Sequence, residues 1–135
     1  MNGINVGGYL RTESGMGSAV RGYLRALRSL PLPIALKDVS AVSGNRAEDR
    51  TIATFDADHP HDVNLICGDV DLHFAIMSHL GEAFFKDRYN IALWAWELPR
   101  FPERWYDRFA YYDEVWVAST FPTPRLLRVS GIRNP

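Results

Sequence analysis

Cysteine is nearly absent from this sequence of 135 residues, in which Cys67 stands alone. A single cysteine excludes an internal disulfide and any metal site assembled from several cysteines. Because Cys67 ends the apolar run 63–67, we expect its thiol to be buried and structural.

Long apolar segments and a surplus of charge are missing as well. No run of the sequence approaches the roughly 20 apolar residues that cross a bilayer. Residues 1–10 also lack the basic and apolar regions of a secretory signal, so we expect a cytoplasmic protein. The formal net charge of -1 argues against a dedicated nucleic-acid binder, which carries a basic surplus.

Several catalytic and metal-binding patterns are missing too. Neither Lys37 nor Lys86 follows a glycine-rich loop, which excludes a Walker-type phosphate loop. No serine or cysteine stands in a nucleophile-elbow pattern. His59 and His61 have near-ligand spacing but no further histidine or cysteine nearby, which favours a surface loop over a metal site.

What the sequence does contain is a series of short apolar runs that alternate with segments of helical pattern. The runs are 4–6, 34–39, 63–67, 90–96 and 115–118, and the helical segments are 18–29, 76–86, 103–111 and 121–129. The alternation predicts an α/β fold with a Rossmann-like parallel sheet and helices on both faces. Pro122 and Pro124 delay or damage the last helix. The polar composition of residues 40–62 predicts a long loop, with a short helix near Ala47.

A glycine-rich loop, Gly15-Met16-Gly17, precedes the first predicted helix. Its glycines allow close approach of the backbone to a ligand, and a helix N-terminus attracts phosphate or an anionic sugar group. The loop lacks the dinucleotide fingerprint, since Val20 stands where the third glycine belongs. A flexible turn before a helix is the alternative interpretation.

Three arginines, Arg21, Arg25 and Arg28, fall together on one face of the same helix. Such a face is typical of a solvated surface, and it leaves open peripheral contact with anionic lipid at the inner face of a membrane.

Acidic residues follow the third apolar run, where Asp69 and Asp71 are separated by a single residue. Two such acids at a strand end are able to hold Mg²⁺ or Mn²⁺ against a diphosphate, with His73 close by. The alternative is a pair of solvated loop acids, one of which caps the next helix.

The segment 89–119 is rich in aromatic residues and places Glu97 after the fourth apolar run. Glu97 is a candidate base or a partner for a sugar hydroxyl. Trp94 and Trp96 point the same way in a strand, and with Trp105 they offer a stacking face for a sugar ring. The alternative is that these tryptophans belong to the core and Glu97 caps a turn.

Two strings, NIALWAWELPRFPERWYDRFAYYDEVWVAST and GINVGGYLRTESGMGSAVRGYLRAL, resemble the N-terminal domain of family 4-like glycosyltransferases with the GT-B fold. The resemblance covers about residues 3–129. It implies two Rossmann-like domains across a cleft, of which the first mainly binds the acceptor, which is a glycan, a lipid or another molecule, and the second binds the nucleotide sugar. It also implies transfer with retention, with no essential metal and no cofactor beyond the nucleotide-sugar co-substrate.

Carried over by position, the resemblance implies that Gly15 and Gly17 face the donor phosphates. It places on the acceptor side the residues Asp71, His73, Trp96, Glu97 and Ser119, with Glu97 as the catalytic candidate. The sequence departs from the family at Ser18, where relatives often carry a glutamate. The family's acidic donor-site motif would lie beyond residue 135, so we expect an acceptor-side half with little or no turnover that lacks the C-terminal donor domain.

Two rival functions stay open on the sequence alone. One is a metal-dependent transferase of the GT-A type that uses Asp69 and Asp71. The other is a non-catalytic α/β domain that binds a carbohydrate or a protein partner.

Overall fold

A six-stranded sheet organises the residues that the computed structural model describes, namely 3–13, 15–44, 46–52, 54–95, 103–119 and 125–129. In chain order its strands are β1 Ile4–Gly8, β2 Ile34–Asp38, β3 Val63–Gly68, β4 Tyr89–Ala95, β5 Glu114–Ser119 and β6 Arg125–Val129. The spatial order is β2-β1-β3-β4-β5-β6. All neighbours among β1 to β5 pair in parallel, which confirms the predicted α/β, Rossmann-like sheet.

The helices are α1 Gly15–Arg28, α2 Ser40–Ser43, α3 His73–Leu80 and α4 Glu82–Phe85, with 3₁₀ segments at Val70–Leu72 and Glu103–Tyr111. The single helix expected over 76–86 is interrupted at Gly81, whose φ of 86° is incompatible with a continuing helix. The short helix expected near Ala47 is wrong, because α2 ends before it at Gly44, where φ is 72°. No helix in these ranges is both long and apolar enough to cross a membrane.

The C-terminal helix expected over 121–129 is wrong for its second half. Residues 125–129 form β6, which pairs antiparallel with β5 at the edge of the sheet, whereas 121–124 lie outside the described residues. The physical reason is that an unpaired edge of β5 presents free backbone N–H and C=O groups, and β6 supplies their partners. A helix would leave those groups unpaired.

Two apolar layers cover the two faces of the sheet, as the sequence predicts. On one face α1 contributes Val20 and Leu24 to a core with Val6, Leu65 and Cys67. The side chain of Cys67 is fully buried, as predicted, and burial raises the pKa of its thiol to about 12. On the other face the second half of the chain supplies a core that includes Ile76, Phe84, Trp94, Phe109 and Tyr112.

A row of three buried asparagines crosses the centre of the sheet. Asn5, Asn64 and Asn90 are neighbours in the register of β1, β3 and β4. Asn5 Nδ2 donates to Asn64 Oδ1 at 2.9 Å, and Asn64 Nδ2 donates to Asn90 Oδ1 at 2.8 Å. We call these residues the asparagine row. Since a slip of one residue turns every side chain to the opposite face, the row ties the three strands to one register.

Each amide in the row also donates to a backbone carbonyl of a helix or loop outside the sheet. Asn5 Nδ2 donates to the carbonyl of His61 at 2.9 Å, and Asn64 Nδ2 to that of Phe84 at 2.7 Å. Asn90 Nδ2 donates to the carbonyls of Phe85 and Arg88 at 3.1 and 3.2 Å. The row therefore supplies hydrogen-bond donors to backbone carbonyls outside the sheet.

We expect Asn64→Ala to lower the free energy of unfolding by about 2–4 kcal/mol, because it leaves the buried Asn90 Oδ1 without this donor and takes an acceptor from Asn5 Nδ2. Urea denaturation measures the change. The matched control is Ser78→Ala at an exposed position of α3, which should change stability by less than about 0.5 kcal/mol. Equal stability of N64A and S78A would contradict a structural role for the row.

Candidate functional site

The strand order locates the place where this sheet is most suited to bind a ligand. β1 lies between β2 and β3, and the chain leaves it toward β2 before returning to β3. In open α/β sheets, ligands bind at such a switch point, outside the carboxyl ends of the strands. We call the loops after β1 (residues 9–13) and after β3 (residues 69–72) the switch-point edge.

The loop after β1 is fixed by the end of β2. The backbone N–H of Leu10 donates to Asp38 Oδ1 at 3.1 Å, and that of Arg11 to Ser40 Oγ at 3.0 Å. Ser40 Oγ in turn donates to Asp38 Oδ1 at 2.6 Å. Tyr9 and Leu10 are only 1% and 0% exposed. The first residues of this loop are therefore buried and held by side chains that follow β2.

Arg21 of α1 joins the same loop to residues 46–49. Its Nη1 donates to the carbonyls of Thr12 at 2.9 Å and Leu10 at 3.4 Å, and its Nη2 lies 3.4 Å from Asp49 Oδ2. Arg21 is therefore buried, and it does not belong to a solvated face with the exposed Arg25 and Arg28. Guanidinium groups suit this task because one planar group donates to several acceptors at once.

Gly17 is required by the close approach of α1 to the loop. A Cβ at this position would lie 2.1 Å from the carbonyl oxygen of Thr12, which is backbone and cannot move aside cheaply. Gly15 is the first residue of α1, at the helix end where free N–H groups are found. The sequence predicted a loop at 15–17 before a helix that starts at Ser18, whereas α1 begins at Gly15 and both glycines lie in its first turn. The packing against Thr12 accounts for Gly17, and its role toward donor phosphates stays a prediction.

Tyr9 connects the two halves of the switch-point edge. Its hydroxyl accepts from the backbone N–H of Asp69 at 3.4 Å and interacts with the carboxyl group of the same residue. Burial, and then the charge of Asp71, raise the pKa of Asp69. Burial also raises the pKa of Tyr9. The edge thus joins a half-buried carboxyl group, a neutral phenol and the exposed carboxylate of Asp71.

A metal site at these acids lacks further ligands in the part of the chain that the structure describes. Within that part, no three His, Cys, Asp or Glu side chains come together where they could hold a metal ion. His73, the expected helper, has its Nδ1 2.9 Å from Tyr112 Oη instead. The interpretation of Asp69 and Asp71 as loop acids therefore fits the described geometry better.

His73 lies beneath the surface, with 1% of its area exposed. Its Nε2 is buried and has no hydrogen-bond partner among the described residues. Burial and the nearby charge of Arg108 lower its pKa to about 4, so the ring is neutral at pH 7. His73 anchors the first residue of α3 to Tyr112, directly behind the exposed Asp71.

The remaining predicted site residues lie in β5, in the core or outside the described residues. Trp96 and Glu97 lie outside the described residues, so their predicted roles are untested. Ser119 is the last residue of β5, at the carboxyl end of the sheet, where it pairs with Arg125 of β6. Trp94 is 3% exposed and packs edge-on against Phe109, so it belongs to the core rather than to a sugar-stacking face.

Sequence reasoning overlooked Tyr9, the pair Asp38 and Ser40, and the bridge from Arg21 to Asp49. A local signal existed for the pair, because an aspartate two residues before a serine just after a strand is typical of a side-chain-stabilised turn. The bridge from Arg21 to Asp49 joins positions far apart in the chain and leaves no local pattern.

Substitution of Gly17 and Gly22, both in α1, should have opposite effects. Gly17→Ala places a methyl group on the Thr12 carbonyl, and we expect it to destabilise the fold by about 2 kcal/mol or more. Gly22→Ala meets only the end of the Arg25 side chain at 3.6 Å, and we expect it to stabilise the helix by about 0.5–1 kcal/mol. Thermal unfolding of both variants measures the difference, and a loss of equal size in both would contradict the packing explanation.

His73 should make the fold less stable in weak acid. Its pKa falls from 6.5 to about 4 on folding, so the unfolded chain binds more protons between these values and stability declines as pH falls through them. We expect this decline to be on the order of 2–3 kcal/mol.

Urea denaturation at pH 7.0, 5.5 and 4.5 measures this effect. His73→Asn should lack this part of the pH dependence, whereas His79→Gln, at an exposed position of the same helix, should retain it. Identical pH profiles for wild type and H73N would show that His73 is not the group responsible.

Comparison of the chain with known proteins found no match. No protein-family model, no curated protein and no solved structure matches the chain.

Proposed function

We propose that this domain forms the acceptor-binding side of a glycosyltransferase that moves a sugar from a nucleotide-sugar donor to a carbohydrate or glycan acceptor. The observation that carries the proposal is the meeting of two loops at the switch-point edge. The loop that leads into the glycine-containing start of α1 and the acidic loop after β3 are joined through Tyr9 and Asp69. The first type of loop suits phosphate groups, and the second suits sugar hydroxyls.

The acids supply the chemistry that an acceptor sugar needs. The exposed carboxylate of Asp71 is free to accept hydrogen bonds from hydroxyl groups, and these are stronger than bonds between neutral groups. Asp69 has a raised pKa, which brings it closer to the working range of a general base. In the proposed transferase these two residues orient the acceptor hydroxyl. Glu97 remains the catalytic candidate that the family resemblance suggests.

The start of α1 gives the donor a place at the same edge of the sheet. The positive end of the helix dipole, at Gly15 and Gly17, would face the diphosphate of the nucleotide sugar. The buried bridge from Arg21 to Thr12 and Leu10 holds the loop that leads into α1 in one shape. A preformed loop loses little entropy when a ligand binds.

Two other functions compete with this proposal. A non-catalytic carbohydrate-binding domain would share the acidic edge but would not respond to nucleotide diphosphates. A metal-dependent transferase would need Asp69 and Asp71 to bind Mn²⁺, and the described residues bring no third ligand to them. The first proposal therefore ranks above the metal-dependent transferase, and nucleotide binding separates it from the non-catalytic domain.

We expect the chain to bind saccharides without a divalent cation, and Asp71→Asn to weaken that binding about fivefold by removing a charged acceptor. Ligand-observed NMR in the presence of a chelator measures the affinity. Asp62→Asn is the matched control, because Asp62 is an exposed acid just before β3, at the opposite end of the same strand. It should leave the affinity unchanged.

Titration with uridine and guanosine diphosphate separates the competing functions. The proposed transferase half predicts that amide signals of residues 15–18 shift without added metal. Saccharide binding with no response to either nucleotide favours the non-catalytic domain. Nucleotide binding that requires Mn²⁺ and disappears in D71A favours the metal-dependent enzyme. Absence of both saccharide and nucleotide binding contradicts the proposal.

A further inference from the structure

A group of exposed and partly buried aromatic and arginine side chains lies directly beside the switch-point edge. Trp105, Arg108 and Tyr111 follow one another at every third position of the 3₁₀ helix Glu103–Tyr111, so they form one ridge. Phe74 of α3 packs against this ridge, with its ring centroid 5.8 Å from that of Tyr111. We call these four residues the aromatic platform.

Two of the four side chains of this platform are exposed aromatic rings. Phe74 and Tyr111 are 47% and 44% exposed, and their rings stand perpendicular, at 90°. Arg108 lies between two rings, with its guanidinium carbon 5.1 Å from the centroid of Phe74 and 5.6 Å from that of Trp105. Neighbouring exposed aromatic rings on a surface are more often a binding site than isolated ones.

The exposed rings are held from below. Phe74 and Tyr111 both contact the buried His73, at 4.7 and 4.9 Å between ring centroids. His73 is itself held by the hydroxyl of Tyr112. Because the rings are supported in one arrangement, a ligand that stacks on them does not have to order them first.

The platform is continuous with the proposed acceptor site. Arg108 Nη1 donates to the carbonyl of Val70 in the loop after β3, so the ridge is tied to that loop. Asp71 and Phe74 are three positions apart across helical segments and are both exposed. Side chains with this spacing lie roughly 5–6 Å apart on one side of a helix. A ligand held by Asp71 that extends beyond one sugar ring would therefore reach Phe74.

The mixed character of the platform indicates what would bind there. Its rings adjoin charged groups of both signs, namely Arg108 and the exposed Asp71 and Asp107. A sugar unit suits such a surface, because it offers an apolar C–H face for a ring and hydroxyl groups for charged partners. A protein interface of ordinary size would need a much larger apolar area than these few rings supply.

We propose that the aromatic platform binds the second and later sugar units of the acceptor, so that the acceptor is an oligosaccharide rather than a single sugar. This inference rests on the proposed acceptor-binding function and specifies its substrate class. Asp71 then holds the unit at the switch-point edge, and Phe74 and Tyr111 hold the chain that extends from it.

The test compares sugars of different length on the intact chain. The probe is a set of unbranched mono-, di- and tetrasaccharides of glucose, galactose and mannose, titrated by isothermal calorimetry. We expect the tetrasaccharide of at least one series to bind more tightly than its monosaccharide. Phe74→Ala and Tyr111→Ala should each weaken tetrasaccharide binding roughly three- to tenfold and leave monosaccharide binding unchanged.

Two further variants control for indirect effects. Tyr89→Ala removes a ring that is 42% exposed at the start of β4, away from the platform, and it should bind the tetrasaccharide like the wild type. Phe74→Trp retains an aromatic face and should keep most of the affinity that F74A loses.

The outcomes separate this inference from the proposed function. Binding that depends on Asp71 but is the same for all lengths, or is unaffected by F74A and Y111A, overturns the platform and leaves the acceptor site standing. Sedimentation measures self-association of the same variants. If F74A and Y111A lose self-association and keep the saccharide affinity of the wild type, the platform is a protein interface and the inference is overturned. If neither the wild type nor any variant binds a saccharide, both proposals are overturned.

Discussion

The hydrogen bonds among Asn5, Asn64 and Asn90 set the geometry on which the rest of this domain depends. A buried amide without a partner costs free energy, so any alternative pairing of these strands would leave several such groups unpaired. The row therefore selects one register for β1, β3 and β4. As a result the carboxyl ends of β1 and β3 finish within one residue of each other. Tyr9 and Asp69 meet there because their strands end level.

The order of the switch-point edge comes from contacts outside the sheet. Asp38 and Ser40 hold the loop after β1 from one side, and Arg21 holds it from the other. Gly17 lets α1 approach that loop closely. On the opposite face of the sheet, His73 ties the start of α3 to Tyr112 beneath the aromatic platform. Both loops of the edge are thus fixed by buried polar groups, which suits a site that binds ligands through backbone and carboxyl groups.

Apolar periodicity predicted the five parallel strands because a strand buried on both faces is a short continuous apolar run. It failed at residues 125–129, where pairing with the edge of β5 outweighed local helical character. Apolar periodicity also overlooked the asparagine row, because it identifies strands by their apolar residues and ignores a polar residue inside an apolar run. A signal was present, because the triplets INV, VNL and YNI place an asparagine at the same position in three strands. The acids at the end of β3 were predicted as site residues, but their partner Tyr9 was not.

The sequence by itself determined the class of this protein: strands alternating with helices, a buried thiol, and acids and glycines placed where strands end. These features are local, because propensity, apolar runs and turn residues act over a few positions along the chain. Only the tertiary structure decided the strand order, the switch point between β1 and β3, the burial of Arg21 and His73, and the joining of Phe74 with Tyr111. Each of these depends on groups distant in the chain, whose pairing is settled by which buried donors and acceptors reach each other in the folded molecule.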